Sequence, residues 1–193
     1  MRRNTLIGLA IGIGLIGLVL LKNVLRLNQR IEEDNVELRN FENSLLTLQF
    51  PKNLVRERDT TYLESGEVFC TVDGVAGSSS KDGHIVSYTL SVATYSERFT
   101  TKESFSVDSL KRNLNERFAN GGLQLLRMSN IDIQGIRGLK YVGLKGRDFE
   151  KTVMFTIKNN VIAINMKGAD SANFIFDDII KSVKIKKPTQ QSI

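Results

Sequence analysis

HIVSYTLSVATY, residues 84–95, alternates with a period of two. Val86, Tyr88, Leu90 and Val92 fall on one side of an extended chain, and Ser87, Thr89 and Ser91 on the other. Successive side chains of a strand point to opposite faces, so this segment reads as a long, half-buried strand of an antiparallel sheet. Strand signals also precede it, at Leu45–Phe50 stopped by Pro51, at Thr60–Leu63 and at Glu67–Val75. They follow it at Leu123–Met128, Leu139–Lys145, Phe149–Lys158 and Val161–Lys167, with Asn159-Asn160 as a tight hairpin because Asn tolerates positive φ. Two segments carry helical spacing instead. Phe105, Val107, Leu110, Leu114 and Phe118 share one side of a helix that Asn120-Gly121-Gly122 ends. Phe174, Phe176, Ile179, Ile180 and Val183 share one side of a second, capped by Asp170 or Ser171, with Val183–Ile185 as a last edge strand. So few helices against so many antiparallel strands predict an α+β sandwich.

Upstream, residues 6–21 run from Leu6 to Leu21 without one charged or hydrogen-bonding side chain. A spanning helix needs about 20 apolar residues, and Thr5 and the snorkelling Lys22 extend the run. Arg2 and Arg3 would suit a signal peptide, but a bulky, basic stretch follows where a small-residue cleavage site would stand. The reading is an uncleaved single-pass anchor over residues 1–25. Flanking charges nearly balance, with Arg2 and Arg3 on one side and Lys22, Arg26 and Arg30 on the other. The short N-terminal tail favours a cytoplasmic N-terminus and an extracytoplasmic C-terminal domain. Gly8 and Gly12 form a small-xxx-small pair that either packs against another membrane helix or reflects the general abundance of glycine in such helices.

Val24, Leu27, Ile31, Leu38, Phe41 and Leu45 then follow a three-four spacing that Asp34 interrupts. This predicts a helical stalk over residues 26–44, either a short coiled coil that forms a homodimer or a lone amphipathic spacer. Residues 45–187 form the folded domain and 188–193 a polar tail.

The chain has 193 residues, a formal charge of +6, one cysteine and one histidine. Cys70 cannot form an internal disulfide and reads as a buried strand thiol. Gly74–Gly83 has glycines and serines but not the spacing of a phosphate loop, and is expected to be a flexible hairpin loop. Lys181, Lys184, Lys186 and Lys187 cluster without interleaved aromatics, so nucleic acid is not an expected partner. A solvated surface, or contact with anionic lipid if the C-terminus lies near the membrane, accounts for them. His84 has no partners for a zinc site or a triad, and Asp132, Asp148 and Asp170 sit where turns and caps use Asp. No catalytic, metal or cofactor residue is assigned.

On these residues the chain resembles the PsbP-like superfamily, which includes Ran-binding Mog-type and DcrB-type envelope proteins. The likeness is carried by Phe50-Pro51-Lys52-Asn53, the helix ending at Asn120-Gly121, the turn Ile133-Gln134-Gly135-Ile136-Arg137-Gly138, and the closing helix Phe174 to Ser182. The resemblance implies an α/β/α sandwich around a mostly antiparallel sheet, and a binding or accessory role outside the cytoplasm rather than catalysis. The anchor sets the chain apart from the plant photosystem subunit. The expected function is a non-catalytic accessory or assembly subunit with the bilayer and integral membrane proteins as partners. The alternative is a module that binds lipid or a small apolar ligand between sheet and helix, lined by Phe105, Phe118, Phe174 and Phe176. An unrecognised hydrolase built on His84 is a third reading.

Overall fold

The alternation of residues 84–95 places that strand inside a seven-stranded, wholly antiparallel sheet. The computed structural model describes residues 37–81, 84–100, 105–120, 124–168 and 175–186. Its strands are β1 (Leu38–Glu42), β2 (Leu46–Pro51), β3 (Val55–Tyr62), β4 (Val68–Lys81), β5 (His84–Tyr95), β6 (Gln124–Ile133), β7 (Ile136–Lys145), β8 (Asp148–Ile157), β9 (Asn160–Gly168) and β10 (Lys184–Ile185). The helices are α1 (Val107–Asn120) and α2 (Phe176–Lys181). The large sheet runs β3-β4-β5-β9-β8-β7-β6, and a second, small sheet runs β1-β2-β10.

Each face of the large sheet has its own core. On one face Tyr88, Leu90, Phe155, Ile162 and Ile164 meet Leu46, Leu48 and Phe50 of β2 and Phe176 and Ile179 of α2. On the other, Ala93, Tyr95, Leu139, Tyr141, Met154 and Ala163 lie under Leu110 and Leu114 of α1. β9 is therefore covered on both sides, which is why its sequence is almost continuously apolar rather than alternating.

The fold is thus mostly antiparallel sheet with few helices, as expected, but the outer layers differ from an α/β/α sandwich. One layer is α1. The other is the small sheet, with α2 as a helix of only six residues beside it. The stalk also needs correction. Leu38 and Phe41 lie on β1, a strand paired antiparallel to β2, and Leu45 sits in the turn between them. That turn forms because the Asn43 side-chain oxygen accepts hydrogen bonds from the Leu45 and Leu46 amides at 2.8 and 2.9 Å. Phe41 is buried in the core of the domain, with Leu38 and Leu45 packed against it. The domain therefore begins before residue 45. Gly8, Gly12, Val24, Leu27 and Ile31, the apolar run and the tail lie outside the described residues. Among those described, no helix is long and apolar enough to cross a membrane.

Two turns shift as well. Residues 74–81 are strand rather than loop, because β4 runs on to Lys81. Gly77 packs so tightly that a Cβ there would lie 2.9 Å from Pro51 Cβ, and Ser78 accepts a hydrogen bond from Asn53 Nδ2 at 3.1 Å. Small residues mark close packing here, not flexibility. The β8–β9 turn is Lys158-Asn159, one residue earlier than expected, with Lys158 at φ 53°. Asn160 opens β9 instead, and its Oδ1 accepts from Thr94 Oγ1 at 2.7 Å.

The face under α1 becomes polar toward one end. Thr89 and Ser91 on β5 are buried there, and among the described residues their hydroxyls have no hydrogen-bond partner, nor do the two side-chain amide atoms of Asn113 on α1. Such groups carry a desolvation penalty without return. Neighbouring Leu90 and Ser91 are both fully buried, on opposite faces. Leu90→Ala is expected to destabilise by about 3 kcal/mol, whereas Ser91→Ala changes stability by less than about 1 kcal/mol or raises it. Urea unfolding of the two variants measures both.

Candidate functional site

A cleft lies over the face of the large sheet between β3–β5 and the β1–β2 turn, residues 41–45; β1 and β3 are end strands of their sheets. The cleft holds about 360 Å³. The floor is apolar: Val75 of β4, Leu90 and Val92 of β5, and Phe41 and Leu45 from the small sheet's side. The rim is charged, with Arg56 and Arg58 of β3, Asp73 of β4 and Glu42 of β1.

The rim is ordered by weak contacts. The Arg56 guanidinium lies 5.3 Å from the centroid of the Phe41 ring, within cation–π range. Arg56 makes no ion pair among the described residues. Arg58 Nε is 3.5 Å from Asp73 Oδ1, with both side chains exposed, so that pair contributes little. Glu42 pairs with Lys186, which ties β1 to the end of β10 across the small sheet. Thr94 and Asn160, bonded to each other, close one end of the cleft. The site can therefore hold an apolar group below and a charged or extended polar group above. It contains no cysteine, histidine or paired carboxylates aimed at one point.

The residues singled out from the sequence are not brought together here. Cys70 faces α1 on the opposite side of the sheet, next to Tyr95. Burial pushes the Cys70 thiol up to about 12, and burial also raises the Tyr95 hydroxyl. No three His, Cys, Asp or Glu side chains among the described residues are placed to share a metal. Asp132 accepts a hydrogen bond from the Gly135 amide at 2.8 Å, as a turn aspartate does, and Asp148 lies 3.5 Å from Lys167 Nζ. His84 opens β5. Asp170, Phe174 and Lys187 lie outside the described residues.

The expected aromatic lining divides between two cores. Phe105 and Phe118 stack edge-on against Tyr95 and Tyr141, at 5.3 and 5.2 Å between centroids, under α1. Phe176 is fully buried on the other face, among the residues packed with β2. These rings fill cores and do not line one chamber. The cleft went unread because it depends on Phe41 lying on a strand; its single sequence signal is the alternating Arg56-Glu57-Arg58-Asp59 of an exposed edge.

No family model and no curated protein matches the chain. Two solved structures are similar to it in overall fold. One is the solution structure of cyanobacterial PsbP (CyanoP) from Synechocystis sp. PCC 6803, at 12% identity and a TM-score of 0.47, covering 81% of this chain and 97% of that one. The other is the crystal structure of PA94, a protein of unknown function from Pseudomonas aeruginosa, at 14% identity and a TM-score of 0.47, covering 79% and 99%. At these identities no residue or role transfers.

The Cys70 environment gives a direct test of the core under α1. With the thiol at about 12, roughly one molecule in ten thousand holds a thiolate at pH 8. Maleimide labelling of the native protein is expected to be slower than that of the urea-unfolded chain by several orders of magnitude, followed by mass spectrometry. Fast labelling in the native state would show that this core opens locally.

Proposed function

We propose that this protein is a membrane-anchored, non-catalytic interaction protein, an accessory or assembly subunit of a membrane protein complex whose domain lies on the extracytoplasmic side. The observation that carries the reading is the uncharged run Leu6–Leu21 placed ahead of a domain with an open cleft. A tether of this kind holds the domain near integral membrane partners and raises their effective concentration. The outer backbone groups of β1 and β3 are not paired with any described strand. They are suited to receive an extended partner segment by strand addition, and the neighbouring cleft, floored by Val75, Leu90 and Val92, can take an apolar side chain from it. Arg56 supplies a positive group for an acidic residue of that segment.

A second reading, an extracytoplasmic module for lipid or a small apolar ligand, has the cleft's apolar floor and its volume in its favour, since small-molecule pockets start near 300 Å³. The open, charged rim favours a peptide over an enclosed apolar ligand.

The deciding experiment is affinity purification of the tagged full-length protein from native membranes in mild detergent, read by size and mass spectrometry. A discrete complex with defined partners is expected, and Arg56→Glu is expected to reduce partner recovery several-fold without altering the melting temperature. A lone monomer or homodimer in every detergent, with a co-purifying lipid or small ligand, would replace this reading by the second.

A further inference from the structure

On the face that carries the small sheet, the large sheet turns basic beyond α2. Arg127 of β6 stands opposite Val142 of β7, and Val142 stands opposite Lys151 of β8. Lys140 lies one step along β7, opposite Ser129. These side chains line a groove of about 250 Å³ that Asp177 of α2 also borders. Three basic side chains and one acidic side chain line the groove, and Lys151 has an interaction of its own. Lys140 Nζ donates to Asp177 Oδ1 at 2.8 Å, which anchors one wall to α2. That hydrogen bond holds the Asp177 carboxyl below the usual carboxylate range, with the charges of Lys151 and Lys181 adding to it.

These basic residues stand on a face that is otherwise apolar along β8. The same face of β8 buries Val153 and Phe155 two and four residues on from Lys151. Charged residues on end strands guard against unwanted pairing, but β7 and β8 are interior strands, so edge protection does not explain Lys140 or Lys151. Neighbouring strands lie about 4.8 Å apart, so Arg127 and Lys151 start about 10 Å from each other, and their long side chains can converge on one tetrahedral anion. The Ser129 hydroxyl adds a neutral donor at the groove's side.

The basic surface continues past the groove. Gln134, in the β6–β7 turn, donates to the Val183 carbonyl at 3.3 Å and accepts from the Ile185 amide at 2.9 Å, which fixes β10 beside β6 and β7. Exposed Lys181 and Lys184 thereby border the same side of the domain. We propose that the Arg127–Lys140–Lys151 groove and its lysine border dock this domain on the membrane surface by binding the phosphate headgroups of anionic lipids. The proposal rests on the tether reading above. From Lys22 to Glu37 the chain can reach at most about 55 Å, enough to turn this face onto the bilayer that holds the apolar run.

The test is hydrogen–deuterium exchange of the full-length protein in nanodiscs of phosphatidylcholine alone and of phosphatidylcholine with phosphatidylglycerol. Peptides spanning residues 127–142 and 149–153 are expected to exchange several-fold more slowly in the anionic discs alone, and to lose that protection at high salt. Arg127→Glu with Lys151→Glu is expected to abolish it, each removed charge weakening docking roughly fivefold. Unchanged exchange across β5 and β9 shows that the double variant is folded; should it not be, Lys184→Glu with Lys181→Glu, both on exposed positions, gives the same readout. Equal protection in both kinds of disc would overturn the proposal. Equal protection produced in neutral discs by inorganic phosphate would overturn it in favour of a solute anion site. If the chain fails to remain with the discs, the tether reading falls separately, and sedimentation of the same protein with phosphatidylglycerol vesicles still decides the groove.

Discussion

Burial of the sheet on both faces is the constraint on which the rest of this structure depends. β9 sits at the middle of the seven strands, and Ile162 and Ile164 point to one core while Val161 and Ala163 point to the other. A sheet with two apolar faces must be covered twice, because an exposed apolar face of this size would aggregate. The two covers come from different parts of the chain. α1, inserted between β5 and β6, covers one face. β1 and β2 from the start, with α2 and β10 from the end, cover the other. The Ser182 hydroxyl, which accepts from the Gln49 amide at 2.8 Å, and the β2–β10 pairing join those two ends.

Much of this was legible from period alone. β5 announces itself by alternation, β9 by a nearly continuous apolar run, and α1 by its three-four spacing, because each pattern reports which side of an element is dry. β1 was misread because Leu38, Phe41 and Leu45 satisfy a helical spacing by chance over too few residues. The Asn43 turn, which reverses the chain, settles the matter locally. β4 reads short in the sequence because Gly and Ser are loop formers, whereas Gly77 and Ser78 let Pro51 and Asn53 approach. Neither the cleft nor the basic groove is legible in one dimension. The first needs the β1–β2 turn laid over the face of β3–β5, and the second needs the register that sets Arg127, Val142 and Lys151 in one row.

The polar floor under α1 is the least economical part of the fold. Thr89, Ser91 and Asn113 are buried without side-chain partners among the described residues, while Asn165 donates to Thr152 Oγ1 at 2.8 Å and Tyr141 to Glu150 at 2.8 Å on the same side of the sheet. α1 is held at its two ends by the Phe105–Tyr95 and Phe118–Tyr141 ring contacts and by Leu110 and Leu114 between them. Packing under α1 is therefore apolar along one stripe and unsatisfied beside it. That places α1 among the elements expected to open at lower free energy than β5 and β9.

The charge pattern of β3 bears on what its edge can accept. Arg56 and Arg58 point to one face of the sheet and Glu57 and Asp59 to the other, since Arg56 stands opposite Val75 and Glu57 opposite Gly74. Two copies of this edge could pair antiparallel only about a twofold axis normal to the sheet, which keeps each side chain on its own face. Wherever that axis falls between residues 56 and 59, the residue at the axis meets its own copy. Arg56 then faces Arg56, Glu57 faces Glu57, Arg58 faces Arg58 or Asp59 faces Asp59, and directly opposed like charges are destabilising. In those registers β3 disfavours its own copy, while its outer backbone groups are not paired with any described strand. The strand it best accepts carries acidic residues on the face of Arg56 and Arg58 and basic residues on the face of Glu57 and Asp59.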